Sequence, residues 1–168
     1  LAACEGGVPN PASVRDASAT RPLLQAHAHN DYAHERPLLD ALSYGFMSVE
    51  ADVYAPPLPP ALVAPLPALP TLIDLYVAHD PQDIRPNRTL RSLYLDPLME
   101  RFQQVGSIYP AQTQPVQLLV DFKTGAETTW LVLQQQLKDY TEMLTRYENG
   151  EVIPGAVTVV ISGDRPTD

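Results

Sequence analysis

Apolar and polar positions alternate in blocks that predict a series of strands and helices. Pro22 to Ala28 is a short apolar run ending in polar residues and predicts a strand. Pro37 to Tyr44 predicts a helix, with Pro37 in its first turn and Gly45 as its stop. From Phe46 to Tyr54 the pattern changes to period two. Met47, Val49, Ala51 and Val53 face one way, and Ser48, Glu50, Asp52 and Tyr54 face the other, as in a strand. Leu72 to Ala78 resumes as a strand and forms a long hairpin with the one before it. Thr89 to Gly106 reads as a turn followed by a helix from about Pro97, with Leu98, Phe102 and Val105 on one face. Val116 to Phe122 is a nearly continuous apolar strand. Between Glu127 and Tyr147 the residues Trp130, Leu133, Leu137, Tyr140, Leu144 and Tyr147 recur every three or four positions and predict the strongest helix. Ala156 to Ile161 is a last apolar, β-branched strand. Strand and helix alternate throughout, which predicts an α/β fold with a parallel sheet and crossover helices.

The pattern stops between Ala55 and Pro70. Seven of the chain's 18 prolines fall there, and proline lacks the N–H that a helix interior or a central strand needs. The segment reads as a surface insertion of polyproline-like conformation.

Composition narrows the function classes. The 168 residues suit one domain. Eleven Lys and Arg stand against 20 Asp and Glu, a net charge of −9, and no basic cluster interrupts the acidity. Such a chain repels phosphate backbones, so no nucleic-acid partner is expected. Cys4 is the single cysteine, which excludes an internal disulfide and any cysteine-based zinc site. Its setting, Leu1-Ala2-Ala3-Cys4, resembles a bacterial lipobox, and the residues that follow to Arg21 are polar, aperiodic and rich in Gly, Pro, Ser and Ala. Residues 1–21 therefore read as a lipobox-like start and a flexible tether. The expectation is an extracytoplasmic bacterial lipoprotein that meets a membrane surface through lipidated Cys4.

The candidate chemistry collects at strand ends. His27-Ala28-His29-Asn30-Asp31 closes the first strand at its carboxyl end, where parallel α/β sheets bind ligands. His27 and His29 share a face. Glu50 and Asp52 emerge together from the second strand, and two carboxylates so close repel unless a cation compensates them. His79-Asp80 ends the strand after the proline-rich segment, and Asp121-Phe122-Lys123 ends the next. Clusters of this kind suit phosphoryl transfer. A hard, oxygen-ligated cation neutralises phosphate charge, and two histidines serve as base and acid.

These residues resemble the signature of the phospholipase-C-like phosphodiesterases, which include glycerophosphodiester phosphodiesterases. The closer resemblance is to the altered inheritance of mitochondria protein 6 family. It rests on His27 to Tyr32, Ser48 to Val53, Val77 to Asp80 and Arg91 to Tyr94, and extends over roughly Leu24 to Arg165. The resemblance implies a (β/α)₈ TIM barrel. It implies a divalent metal, Mg²⁺ or Ca²⁺, on Glu50, Asp52 and Asp121, with His29 and His79 as the catalytic pair. Lys123 and Asn30 would face the substrate, a phosphodiester of glycerophosphodiester or phospholipid type. His27 and His34 read as structural and loop residues, and Asp31 as an extra ligand. Asp80 would orient His79 or cap a turn.

Such a barrel needs ~250 residues, so residues 22–168 are expected to form only its N-terminal half, as a fragment of a longer chain. Two other readings compete. His-x-His at a first strand end also resembles metal hydrolases of the amidohydrolase and PHP phosphatase type, which need further histidines on later strands. A non-catalytic, lipid-anchored binding module is the third.

Overall fold

The computed structural model describes residues 20–57 and 73–166. The lipobox-like start, most of the tether and most of the proline-rich segment lie outside the described residues. Strand β1 spans Leu23–Ala28, helix α1 Leu39–Ser43, β2 Phe46–Tyr54 and β3 Tyr76–Val77. Helix α2, Asp96–Val105, follows a π-helical turn at Arg91–Leu95. Strand β4 spans Val116–Phe122, helix α3 Ala126–Leu137, β5 Arg146–Glu148, β6 Glu151–Ile153 and β7 Val157–Gly163.

The main sheet has the order β1-β2-β4-β7, all parallel, and β3 adds antiparallel to the end of β2. The fold is therefore α/β with a mostly parallel sheet. Asp52 lies beside Asp121, and Asp121 beside Ser162, so the polar strand ends align across three strands.

Alternation decides which face is covered. Met47, Val49, Ala51 and Val53 of β2 and Val116, Leu118, Val120 and Phe122 of β4 are buried, and they join Leu42, Leu95, Leu98 and Leu133 from the helical layer in one apolar core. The opposite face carries Ser48, Glu50, Asp52, Gln117, Leu119 and Asp121, with Thr158 and Ser162 on β7. The nearly continuous apolar strand expected over Val116 to Phe122 is nonetheless two-sided: in β4, buried and half-buried positions alternate strictly. Three helical residues per heptad suffice to cover one face; among the described residues no helix covers the other, where Leu119 stands among the polar groups.

Three further expectations shift. Pro37 does not open α1, because Leu38 intervenes with φ 62°, and the helix begins after it. The second long helix begins earlier than Pro97, through the π-helical turn that seats Tyr94 in the core. The largest correction concerns Glu127 to Tyr147. The α-helix stops at Leu137, one 3₁₀ turn carries the chain to Tyr140, and β5 and β6 form a hairpin beyond it. Two forces end the helix. Thr145 donates its N–H to Val157 and Val157 donates to Met143, so this stretch pairs with the start of β7. Asn149 and Gly150 then both adopt positive φ, 53° and 87°, as a type I′ hairpin turn requires.

Candidate active site

The first loop supplies the densest set of polar groups. Asn30 adopts a left-handed conformation, φ 51°, which asparagine tolerates better than most residues. This turn aims its backbone N–H at Glu50 Oε2, 2.9 Å away. His29 Nε2 lies 3.4 Å from the same oxygen, with its side chain 73% exposed. The His29 ring is therefore anchored at one end and open to a ligand at the other.

Asp52 is the centre of the site. It is 1% exposed, and its Oδ2 takes three neighbours: the Tyr32 hydroxyl at 2.7 Å, Lys123 Nζ at 3.0 Å and His79 Nδ1 at 3.3 Å. Its Oδ1 is buried and has no hydrogen-bond partner. Lys123 Nζ also reaches Asp121 Oδ2 at 2.7 Å, and Ser162 donates to Asp121 Oδ1 at 2.6 Å. Burial alone would raise the Asp121 carboxyl, but these hydrogen bonds outweigh it and hold Asp121 below the usual carboxylate range. Burial works against the Lys123 ammonium, and bonds to Asp121 and Asp52 reverse that and push its pKa up.

The predicted set is thus brought together: His29 with Glu50, and His79, Lys123 and Asp121 around Asp52. Asn30 stands between the two groups, its N–H on Glu50 and its side-chain amide 2.8 Å from the Tyr32 hydroxyl.

Donor chemistry suits a hard cation, since Glu50 and Asp52 share a strand face and one Asp52 oxygen is free. The fit is closest for these two. Both Asp121 oxygens are engaged by Lys123 and Ser162, and among the described residues no three His, Cys, Asp or Glu side chains gather tightly enough to share one ion.

Other expectations change. Asp31 is fully buried, accepting from the Leu38 N–H at 2.5 Å and the Tyr94 hydroxyl at 2.9 Å, and burial raises its carboxyl pKa. These bonds hold the loop whose backbone carries Asn30 and Tyr32. Asp80 does not orient His79; it is exposed and precedes a 3₁₀ turn at Pro81–Asp83. His27 pairs its Nδ1 with Ser48 Oγ at 2.7 Å, and His34 is exposed in the loop.

Sequence reasoning missed two tyrosines. The Tyr32 hydroxyl lies 3.0 Å from His79 Nδ1 as well as beside Asp52, and the Tyr54 hydroxyl donates to the His79 carbonyl at 2.9 Å. The signal for Tyr32 was its place in the His-x-His-Asn-Asp-Tyr stretch. For Tyr54 it was its place on the polar face of β2.

The profile of the AIM6-like phosphodiesterase domain matches residues 16–58 and 70–168. The chain is 32% identical to altered inheritance of mitochondria protein 6 of Lachancea thermotolerans over 166 residues, covering 86% of this chain and 35% of that protein. Against the Candida glabrata protein of the same name the identity is 33%, over 86% of this chain and 40% of that protein. Against the Arthroderma benhamiae homolog it is 30%, over 85% of this chain and 48% of that protein. The chain thus spans a third to a half of the length of these relatives. No solved structure is a significant match.

The organisms correct one expectation. These relatives are yeast and fungal proteins, so the reading as an extracytoplasmic bacterial lipoprotein, lipidated at Cys4, is withdrawn. A four-residue match that includes the cysteine is too short a pattern to carry it. Across nearly its whole described length, site included, the chain belongs to the family of the AIM6-like phosphodiesterase domain.

Proposed function

We propose that the chain carries the site of a metal-dependent phosphodiester hydrolase acting on glycerophosphodiester or phospholipid-type substrates. Its parallel sheet is, in this reading, the first half of a (β/α)₈ barrel. The observation that carries the proposal is the gathering of His29, Glu50, Asp52, His79, Asp121 and Lys123 at one end of one sheet. Sequential parallel order supports the barrel reading, because a barrel's first strands follow one another in this way.

Charge argues for the cation. Three carboxylates face one ammonium, so the site as built repels a phosphodiester anion. A divalent ion on Glu50 and Asp52, with Asp121 beside them, would neutralise that excess and polarise a phosphoryl oxygen. The chain's own residues supply the remainder. One histidine of the pair takes a proton from the attacking water, and the other gives a proton to the leaving oxygen. Lys123, held against Asp52 and Asp121, is the cationic side chain nearest to where the phosphate would sit. Asn30 fixes Glu50 from below through its N–H.

The test is hydrolysis of bis(p-nitrophenyl) phosphate and of glycerophosphodiesters with Mg²⁺ or Ca²⁺. His29→Ala and His79→Ala should each lower the rate by about 10²–10⁴ with the fold intact by circular dichroism. His27→Ala, whose ring meets only Ser48 here, should change it little. Near-full activity in both of the first two variants would overturn the assignment.

A further inference from the structure

Tyr32 is 5% exposed, and its hydroxyl has three polar neighbours. Asp52 Oδ2 lies at 2.7 Å, the Asn30 side-chain Oδ1 at 2.8 Å and His79 Nδ1 at 3.0 Å. A phenol hydroxyl has one proton to give and two lone pairs to receive with. An ionised carboxylate, here also bound by the Lys123 ammonium, can only accept. If the Tyr32 proton pointed elsewhere, two oxygens would face each other lone pair to lone pair at 2.7 Å. The proton therefore goes to Asp52. The two remaining neighbours must then donate. His79 then presents Nδ1–H, and a half-turn of the Asn30 amide, which exchanges the Oδ1 now facing Tyr32 for the N–H, completes the pattern.

We propose that Tyr32 is a positioning residue that holds His79 in the Nδ1–H tautomer and so leaves its Nε2 lone pair free to act as the base. The direct His79–Asp52 approach, 3.3 Å, is longer than either bond through the Tyr32 hydroxyl, so the phenol is the main link between the two. The Tyr54 hydroxyl fixes the His79 backbone, so ring and main chain are held by two separate tyrosines. The tautomer is a property of the fold. Its catalytic meaning rests on the phosphodiesterase reading above.

The experiment is ¹⁵N NMR of the ring nitrogens in ¹⁵N-histidine-labelled protein, at a pH where imidazole is neutral, paired with steady-state kinetics on bis(p-nitrophenyl) phosphate. In the wild type, His79 Nδ1 should show a proton-bearing shift and Nε2 a bare one. Tyr32→Phe should move His79 toward the Nε2–H form that free imidazole side chains prefer. It should lower kcat by about 10- to 100-fold, the usual effect of losing such a partner, with KM changed less than about twofold. A wild-type His79 in the Nε2–H form overturns the proposal without any variant, so a Tyr32→Phe protein that fails to fold leaves the test intact. An unchanged tautomer in folded Tyr32→Phe also overturns it. Absence of hydrolysis by the wild type would instead count against the phosphodiesterase reading, and the ring-nitrogen result would stand on its own.

Discussion

Asp31 illustrates how far a single buried group can govern a site it does not enter. Its Oδ2 serves two donors, the Leu38 N–H and the Tyr94 hydroxyl, while its Oδ1 has no partner. Asp31→Ala leaves both donors buried and unpaired, at about 1–3 kcal/mol each, and should lower the urea midpoint accordingly. Asp31→Asn keeps an acceptor and removes the charge, so it should be far milder. The pH dependence separates the two residues further. Burial raises the folded-state pKa of Asp31 above its ordinary 3.8. The folded protein then holds a proton that the unfolded chain has lost, and this contribution to stability fades as pH rises from about that value through the raised one. Asp31→Asn should lack that slope in chemical denaturation measured at successive pH values. Nothing in the sequence marked Asp31 as buried, because it stands in a run of polar residues. Its environment is set by Tyr94, 63 positions away.

At the scale of elements, patterns with a single explanation were legible and patterns with two were not. Strands β2 and β4 have the bounds that their alternation and apolar run predict. The span from Glu127 to Tyr147 satisfied helical spacing throughout, yet Met143 reaches the core from a turn and Leu144 from a bridge to Val157. The competing signal was Asn149-Gly150, a strong short-range hairpin mark that outweighs a few apolar residues at helical spacing. Element ends also explain a glycine. At Gly163, which closes β7 with φ 71°, an added Cβ would lie 2.4 Å from the Phe122 carbonyl and 2.9 Å from Asp121 Oδ1. At Gly106, which closes α2 with φ 74°, it would meet nothing within 4 Å. Gly106→Ala should therefore cost only the left-handed conformation, roughly 1–2 kcal/mol. Gly163→Ala should cost more and should also displace Asp121. Equal urea midpoints for the two variants would refute the close-approach argument.

For the molecule as a whole, the sequence displayed the site because parallel topology puts the carboxyl ends of β1, β2, β4 and β7 on the same side, while the short antiparallel β3 runs back along β2 and leaves His79 beside Asp52. Glu50, Asp52, His79 and Asp121 could be grouped once the strands were placed, without knowledge of any contact. What it did not display is the way the groups neutralise one another. The Lys123 ammonium spans Asp52 and Asp121, and one phenol joins Asp52 to His79. Such links depend on side-chain reach between strands, which spacing along a chain does not encode. The sheet's two faces differ for the same reason. Helical crossovers cover the face of Val49 and Leu118, and the face of Glu50 and Asp121 bears the chemistry.

The pairing of Tyr54 with Tyr76 bears on how this protein can change over generations. The ladder clamps both ends of the connection between β2 and β3, next to the site, whatever its length. The family profile skips residues 59–69, so this stretch is extra to the common pattern. Loop-closure entropy varies by only about 0.6 kcal/mol for each doubling of length. Deleting residues 59–69 should therefore move Tm by less than about 3 °C in scanning calorimetry. A larger fall would mean that the stretch contributes to the core. With the expected result, descent could lengthen, shorten or rewrite this joint while folding stayed nearly indifferent, leaving selection for what the neighbouring site must recognise as the force that sets its content.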